Sequence, residues 1–337
     1  MFRNPRLLLL AFALVAGAVL VALLLSTIGR SPVRLPPLPN PNVYDDFVKA
    51  GEAVLGDISD WPVLDHDSLR DLVSTNAEPL RLLRLGLTRQ CVMPMDFPLT
   101  NNAGFLPRGR INLALLLAAE GRLREMENRP ADAALSYVDA LRYGNEMSRG
   151  GFLINRLVGL DCEVIGYAPL AKLVPKLNPV EARAVLRDLD KLDTGRVTWA
   201  EVQQGEGRFM RYQRGKQFNP VVWVRNWWQI RRAMQRAETK PKTVVARERL
   251  LAVELALRCY QTQQGHPPAS LEELSAKYLS HVPEDPFSGQ PLVYRAQGTN
   301  WLLYSVGPDG VDDGGKPISG HLVLGSRSKG DLFFDSP

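Results

Sequence analysis

Cysteine and histidine are scarce in this chain, and the few copies present do not form metal-binding patterns. The 337 residues include three cysteines and four histidines. None stands in a C-x-x-C, H-x-x-x-H or H-E-x-x-H frame, so the spacing signals neither a zinc site nor a redox pair. Cys91, Cys162 and Cys259 lie far apart. An odd number of cysteines allows at most one disulfide within the chain, and buried thiols are the simpler expectation.

The short motifs that mark common catalytic sites are also missing. There is no G-x-S-x-G turn, no P-loop and no G-x-G-x-x-G, so no nucleophile elbow or phosphate-binding loop is signalled. We therefore expect a protein that is not an enzyme. The alternative is an envelope-associated enzyme with a site in the helical part of the chain, for which Asp65, Asp67 and Glu201 are the candidate acids.

One long hydrophobic run lacks charge altogether. Residues 7–28 read LLLLAFALVAGAVLVALLLSTI, and as a helix they would be about 33 Å long, enough for a hydrocarbon core of about 30 Å. A cleaved signal peptide is the alternative, although its apolar region would be shorter and would end at an Ala-x-Ala site. We favour an uncleaved single-pass anchor in residues 1–30, with the N-terminus inside and the body extracytoplasmic, in the cell inner membrane or its equivalent.

The chain beyond this run divides into three parts by composition. Residues 31–42 contain five prolines, which exclude a helix interior and favour a stiff, extended spacer. Residues 43–242 have mainly helical periodicity, and residues 243–337 change from a long helical pattern to strand-like runs. We expect an anchor, a spacer, a helical domain and a smaller C-terminal domain in that order.

The net charge of +5 is too small to favour nucleic acid, but one tract is strongly basic. Residues 207–242 contain ten Lys and Arg residues, one acid and six aromatics. Three interpretations stay open: inward packing of the tryptophans, contact with an anionic membrane or a partner, and single-stranded nucleic acid. We expect no nucleic acid, because an extracytoplasmic domain rarely meets it. The residues selected as an interface are Trp223, Trp227, Trp228, Arg231 and Arg232.

Several helix ends are predicted by local chemistry. Ser68 and Asn178 are predicted N-caps, Gly265 is a predicted C-cap, and Pro130 suits a first helical turn. Residues 112–145 form a predicted helical hairpin that resembles one tetratricopeptide unit. That resemblance rests on small and aromatic positions at Gly121, Ala133, Tyr137 and Ala140. Since such arrays need about three units and no second copy is evident, ordinary bundle packing is the simpler interpretation and a tetratricopeptide-like adaptor is the alternative.

The C-terminal part combines several motifs in a fixed order. A long helical pattern precedes G-H-P-P at 265–268, P-E-D-P-F-S-G-Q-P at 283–291, a strand with Tyr294, and S-V-G-P-D-G at 305–310. In this order, residues 245–315 resemble the C-terminal part of the major pseudopilin of type II secretion systems. The resemblance implies a small head of one long helix and a short antiparallel sheet. Further short strands are expected in HLVLG and DLFFD near the end of the chain.

The resemblance also implies a calcium site in the acidic loop after the last strand, where that family binds calcium. The implied ligands are the carboxylates of Asp309, Asp312 and Asp313, with backbone carbonyls near Val306, Gly307 and Gly310. Hard oxygen ligands of this kind suit Ca²⁺. The family also uses later aspartates, and here a long insertion separates the loop from Asp331. An exposed Asp-Gly turn is the alternative.

The N-terminus departs from the pseudopilin pattern. A Gly-Phe-Thr-x-x-Glu processing motif is expected before the apolar helix of a pseudopilin, and this chain has Asn4-Pro5-Arg6-Leu7 there. We therefore expect a head domain reused on an anchored protein rather than a filament subunit. The sequence predicts an α+β protein with a transmembrane helix, a mainly helical middle domain and a pseudopilin-like C-terminal domain. Its expected role is interaction or assembly with secretion or pilin-like envelope proteins.

Overall fold

The structure is a computed structural model, and it describes most of the chain beyond the proline-rich spacer. The described residues are 17, 21, 37–94, 107–216, 232–234, 237–275, 277–318, 325 and 328–336. The predicted anchor at 7–28 lies outside them, apart from residues 17 and 21. Within the described ranges, no helix combines the length and the apolar character that crossing a membrane requires. The anchor therefore stays a prediction.

The described chain is mainly helical and carries one small antiparallel sheet, which confirms the α+β class at this level. The elements are α1 Val43–Glu52, α2 His66–Thr75, α3 Ala77–Gly86, α4 Pro107–Met126, α5 Pro130–Glu146, α6 Leu153–Leu173, α7 Pro179–Thr194, α8 Trp199–Lys216, α9 Thr239–Gln264, β1 Val293–Gln297 and β2 Asn300–Tyr304, with 3₁₀ turns at Val174–Lys176 and Leu271–Leu274. The two strands overlap the runs PLVYRA at 291–296 and NWLLYSV at 300–306, where the sequence predicts strands.

Local chemistry sets several of the helix ends. The side chain of Asn178 accepts hydrogen bonds from the backbone of α7, and Glu181 reaches back to the Asn178 amide, as in a capping box. Gly265 ends α9 with φ 80°, a left-handed conformation that favours glycine. These two caps were predicted correctly. The predicted cap at Ser68 is wrong, because Asp65 caps α2 and accepts a hydrogen bond from the Ser68 amide at 2.8 Å.

Small residues set the spacing of the central helices. A Cβ added at Gly121 on α4 would collide with the ring of Tyr137 on α5, and Gly144 on α5 meets Gly159 on α6 backbone to backbone. Close approach of this kind requires glycine on the facing surfaces. The Tyr137 hydroxyl donates to Glu125 at 2.7 Å across the α4–α5 pair. The predicted hairpin is thus present, while its tetratricopeptide likeness stays a prediction.

Two groups of buried apolar side chains form the core. One lies among α1 to α6, where Val43, Phe47 and Leu116 are buried. The other runs from α4 to α7 into α9 and the C-terminal segment, where it includes Leu251 and Leu332. From Leu250 to Leu257, every residue of α9 is buried, so the helix is enclosed on all sides rather than on the one broad face that its sequence suggested. The three cysteines are free and buried, as expected.

The predicted strands near the C-terminus have different outcomes. The segment 321–325 lies outside the described residues except for its last position. The segment 331–335 is wrong as a strand, because it makes isolated bridges from Leu332 to Ser305 and from Asp331 to Pro317. The predicted domain boundary between residues 242 and 243 falls inside α9, which begins at Thr239. That boundary stays a prediction.

Candidate functional site

One buried aspartate joins two of the motifs on which the C-terminal resemblance rests, residues 283–291 and 305–310. Asp285, within residues 283–291, has no exposed surface. Its carboxylate accepts hydrogen bonds from the Ser305 hydroxyl at 3.0 Å, the Val306 amide at 2.8 Å and the Phe287 amide at 2.9 Å. Hydrogen bonds to a buried carboxylate are stronger than neutral ones. Asp285 therefore fixes the start of the acidic loop against residues 283–291, which we call the proline-rich turn.

The first aspartates of the acidic loop bind their own backbone. Asp309 accepts a hydrogen bond from the Val311 amide at 3.2 Å. Asp312 accepts from the Gly314 amide at 2.8 Å and from the Tyr304 hydroxyl at 2.7 Å. The Tyr304 hydrogen bond, followed by that from Gly314, lowers the pKa of Asp312. Both carboxylates thus stabilise turns, as short acidic side chains commonly do in glycine-rich loops.

Asp331 closes the loop from the far end of the insertion. Its buried carboxylate accepts from the amides of Gly315 at 2.7 Å, Lys316 at 3.1 Å and Asp313 at 3.3 Å. Asp313 in turn accepts from the Gly330 amide at 2.9 Å. Loss of hydration raises the pKa of Asp331, although the backbone amides act in the opposite direction. The long insertion therefore does not separate Asp331 from the loop.

The carboxylates of the acidic loop accept hydrogen bonds from backbone amides. In the part of the chain that the structure describes, no three Asp, Glu, His or Cys side chains converge to hold a metal ion. Asp309, Asp312 and Asp313 each bind a different stretch of backbone. The carbonyl of Gly307, one of the implied ligands, accepts a hydrogen bond from the Gly310 amide at 3.1 Å. The calcium site stays a prediction from the resemblance.

The aromatic and basic interface lies almost wholly outside the described residues. Trp223, Trp227, Trp228 and Arg231 fall there, and Arg232 is described and exposed on a helical segment. The structure therefore leaves all three interpretations of residues 207–242 open. The selected interface stays a prediction.

The acids of the enzyme alternative have structural tasks. Asp65 caps α2, and hydrogen bonds from Ser68 lower its pKa. Asp67 is highly exposed and lies 3.5 Å from Arg70 one turn later. Glu201 accepts from the Thr198 amide at 2.7 Å and so caps α8. The sequence shows these acids but not their partners, which are backbone amides at helix ends and a neighbouring arginine.

A buried cluster of opposite charges lies where α9 meets the helical body, and the sequence did not indicate it. We call it the joint cluster: Arg156 and Glu163 on α6, Asp193 on α7, Arg196 after α7, and Glu248 and Arg249 on α9. Arg196 is its centre. The guanidinium contacts Glu163 at 3.3 Å, Asp193 at 3.4 Å and, at shorter range, Glu248. One cation therefore serves three carboxylates from three helices.

The outer members complete the charge balance. Arg156 pairs with Glu163, and both side chains are buried. Arg249 contacts Asp193 at 3.1 Å and donates to the Glu284 carbonyl at 2.7 Å, beside the proline-rich turn. The cluster thus contains three arginines and three carboxylates. It connects two helices of the body to α9 and, through Arg249, to the C-terminal segment.

Glu248 is the least satisfied member of the joint cluster. Its Oε2 pairs with Arg196, while its Oε1 is buried and has no hydrogen-bond partner among the described residues. Burial, opposed by Arg196 and assisted by the like charge of Glu163, raises the pKa of Glu248 to about 7. The carboxyl group can therefore change its charge near neutral pH.

The described residues form two larger surface grooves, and the basic residues of the first are paired with acids. A groove of about 800 Å³ lies among α3, α5 and α7, and one of about 510 Å³ lies among α2, α3 and α4. In the first, each basic residue pairs with an acid: Arg89 with Asp46, Arg142 with Asp139, Arg149 with Glu146, and Lys191 with Asp188.

Comparison of the chain with models of known protein families, with curated proteins and with solved structures finds no match.

Proposed function

We propose that this chain is a membrane-anchored interaction or assembly protein of the cell envelope, without a catalytic role. Residues 7–28 serve as the anchor, and the body lies on the extracytoplasmic side. The C-terminal unit, with its likeness to the major pseudopilin head, presents the binding surface. The partners are secretion or pilin-like envelope proteins, and calcium in the acidic loop belongs to the same proposal.

The contact through Asp285 is the observation that supports this proposal most directly. Two of the motifs that carry the resemblance, residues 283–291 and 305–310, are separated by the strand pair, and a sequence match alone does not require them to touch. Asp285 of the first motif binds Ser305 and Val306 of the second through a fully buried carboxylate. A built-in link of this kind is expected if the motifs work as one structural unit.

The alternatives have less support. The acids of the envelope-enzyme alternative cap helices or pair with a neighbouring arginine on the surface, which is a sufficient reason for their presence. The tetratricopeptide-like adaptor rests on the small and aromatic positions Gly121, Ala133, Tyr137 and Ala140, and one helical hairpin does not make a repeat array. Neither alternative is favoured by an observation of its own.

Site-directed crosslinking in the cell's own membranes tests the proposal. A photoreactive amino acid is placed at Val311, which is 55% exposed in the acidic loop, or at Arg232, in the predicted interface. The full-length chain is then irradiated in isolated membranes, and its adducts are identified by mass spectrometry. We expect adducts with secretion or pilin-like proteins, and we expect the chain to resist extraction with alkaline carbonate.

Val63 provides the matched control. It is 81% exposed and lies in the helical body, before α2, so it reports on random encounters with any abundant neighbour. Equal adducts at Val63 and Val311 would contradict a specific surface on the C-terminal unit. Release of the whole chain by carbonate would contradict the anchor independently of the partner.

A further inference from the structure

The surface on which α9 packs against the helical body, here called its seat, contains a carboxyl group whose hydrogen-bonding capacity is not fully used. Glu248 is only 3% exposed, and one of its oxygens has no hydrogen-bond partner in the described part of the chain. A buried carboxylate normally uses both oxygens, because an unpaired buried acceptor costs free energy. Ionisation of Glu248 therefore costs free energy in the contact of α9 with α6 and α7.

The surroundings of Glu248 come from every element packed at this place. They are Arg156, Glu163 and Tyr167 on α6, Asp193 on α7, Arg196 on the following turn, Arg249 on α9 itself, and His281 on the segment after the 3₁₀ turn at Leu271–Leu274. Glu163 and Glu248 share the guanidinium of Arg196. Two carboxylates on one cation repel each other, and burial of both strengthens that repulsion.

We propose that Glu248 acts as a proton-operated lock for α9: a proton on its carboxyl group seats the helix firmly, and loss of that proton loosens the seat. The loosening extends to the C-terminal unit, because α9 also carries the β1–β2 pair. Glu254 on α9 accepts a hydrogen bond from the Trp301 indole of β2 at 2.8 Å. The protonation state of one buried side chain thus influences how firmly the C-terminal unit is held.

The direction follows from the linkage between proton binding and folding. The pKa of Glu248 is raised from its ordinary value of 4.5 to about 7. Between these values the seated form binds more protons than the released form, so the seat weakens as the pH rises. The extra stability is complete below the ordinary value and is lost above about 7. A single proton can change the equilibrium by at most about tenfold per pH unit.

Hydrogen–deuterium exchange of the full-length chain in detergent micelles measures this opening. Protection factors for peptides within α9, corrected for the intrinsic effect of pH on exchange, are followed from about pH 5 to pH 8. In the wild type we expect protection to fall as the pH rises, by up to about tenfold per unit. In Glu248→Gln, which mimics the protonated carboxyl, we expect high protection that no longer depends on pH.

Two variants separate Glu248 from its neighbours. Glu254→Gln makes the same chemical change on the same helix outside the cluster, and it should retain the wild-type pH dependence. His281 lies 3.8 Å from Asp193 at the edge of the cluster, so His281→Asn is the second variant and should retain the dependence as well. Protection of α9 that does not vary with pH in the wild type would overturn the proposal, as would a pH dependence removed by His281→Asn. These two readouts decide the question even where Glu248→Gln fails to fold.

Discussion

The joint cluster and the acidic loop both concentrate carboxylates, and they satisfy them in opposite ways. In the joint cluster, charge is matched by charge: Glu163 and Glu248 pair with Arg196 in the interior. In the loop, the exposed Asp312 and the buried Asp331 both accept hydrogen bonds from backbone amides. The first arrangement needs partners from distant parts of the chain. The second needs only a backbone that can turn, which glycine allows.

This difference separates two kinds of sensitivity. Removing one member of a buried ion cluster leaves opposite charges without compensation, which is strongly destabilising. Removing one carboxylate from a turn exposes amides that water can reach, which costs less. The joint cluster should therefore respond to single substitutions and to pH, while the loop should tolerate the loss of its outer aspartates.

Arg196→Met should have the largest effect of the changes considered. The substitution leaves Glu163, Asp193 and Glu248 without their shared cation, and we expect a loss of about 3–5 kcal/mol in the free energy of unfolding. Urea denaturation of the full-length chain in detergent measures it. Arg81→Met on the exposed Arg81–Glu78 pair of α3 is the matched control and should change little. Equal effects from both substitutions would contradict the special position of the joint cluster.

Asp285→Ala should have the next largest effect. It removes a fully buried acceptor and leaves the Val306 and Phe287 amides and the Ser305 hydroxyl unpaired. We expect the free energy of unfolding to fall by about 3 kcal/mol, as measured by the same denaturation. Proteolysis should then begin in the loop after β2 before it reaches the helical body. A variant with wild-type stability would mean that the two C-terminal motifs do not depend on this link.

Asp331→Asn tests the closure of the acidic loop with a smaller change. The amide retains one acceptor oxygen for the amides of Gly315 and Lys316, so we expect a loss of about 1–2 kcal/mol. Asp335→Asn, at an exposed position four residues later, is the control. Hydrogen exchange should show the change at residues 313–316 and leave α9 unaffected. Faster exchange throughout α9 would show that the acidic loop and the joint cluster are coupled, contrary to the difference described between them.

Features set by neighbouring residues could be predicted from the sequence. Asn178, Gly265 and the β1–β2 pair depend on local rules, and the structure confirms each of them. The Ser68 cap failed because Asp65, three residues earlier, competes for the same role and binds the Ser68 amide. Local rules indicate that a helix begins here but do not choose between adjacent polar residues.

The joint cluster could not be predicted in this way. Arg196 and Glu248 are far apart in the sequence, and Glu248 stands in a helical pattern whose other polar residues include the partly exposed Arg249. Nothing in the local pattern distinguishes a buried acid from a solvated one. The return of Asp331 to the acidic loop is a second long-range contact of this kind. Both depend on how helices and loops pack, which periodicity does not report.

The calcium prediction concerns the acidic loop, and its expected effect on stability is the smallest. Weak extracellular calcium sites have dissociation constants of about 10⁻⁴–10⁻³ M, so about 1 mM calcium would stabilise the fold by about 0.4–1.4 kcal/mol. If the resemblance holds, the full-length chain should melt slightly higher in calcium than in chelator, with magnesium having less effect. Asp309→Ala should remove this increase without changing the melting temperature in chelator, because Asp309 makes one hydrogen bond within its own turn. An unchanged wild-type melting temperature would instead show that backbone amides, as in the geometry described, are sufficient to satisfy the loop carboxylates.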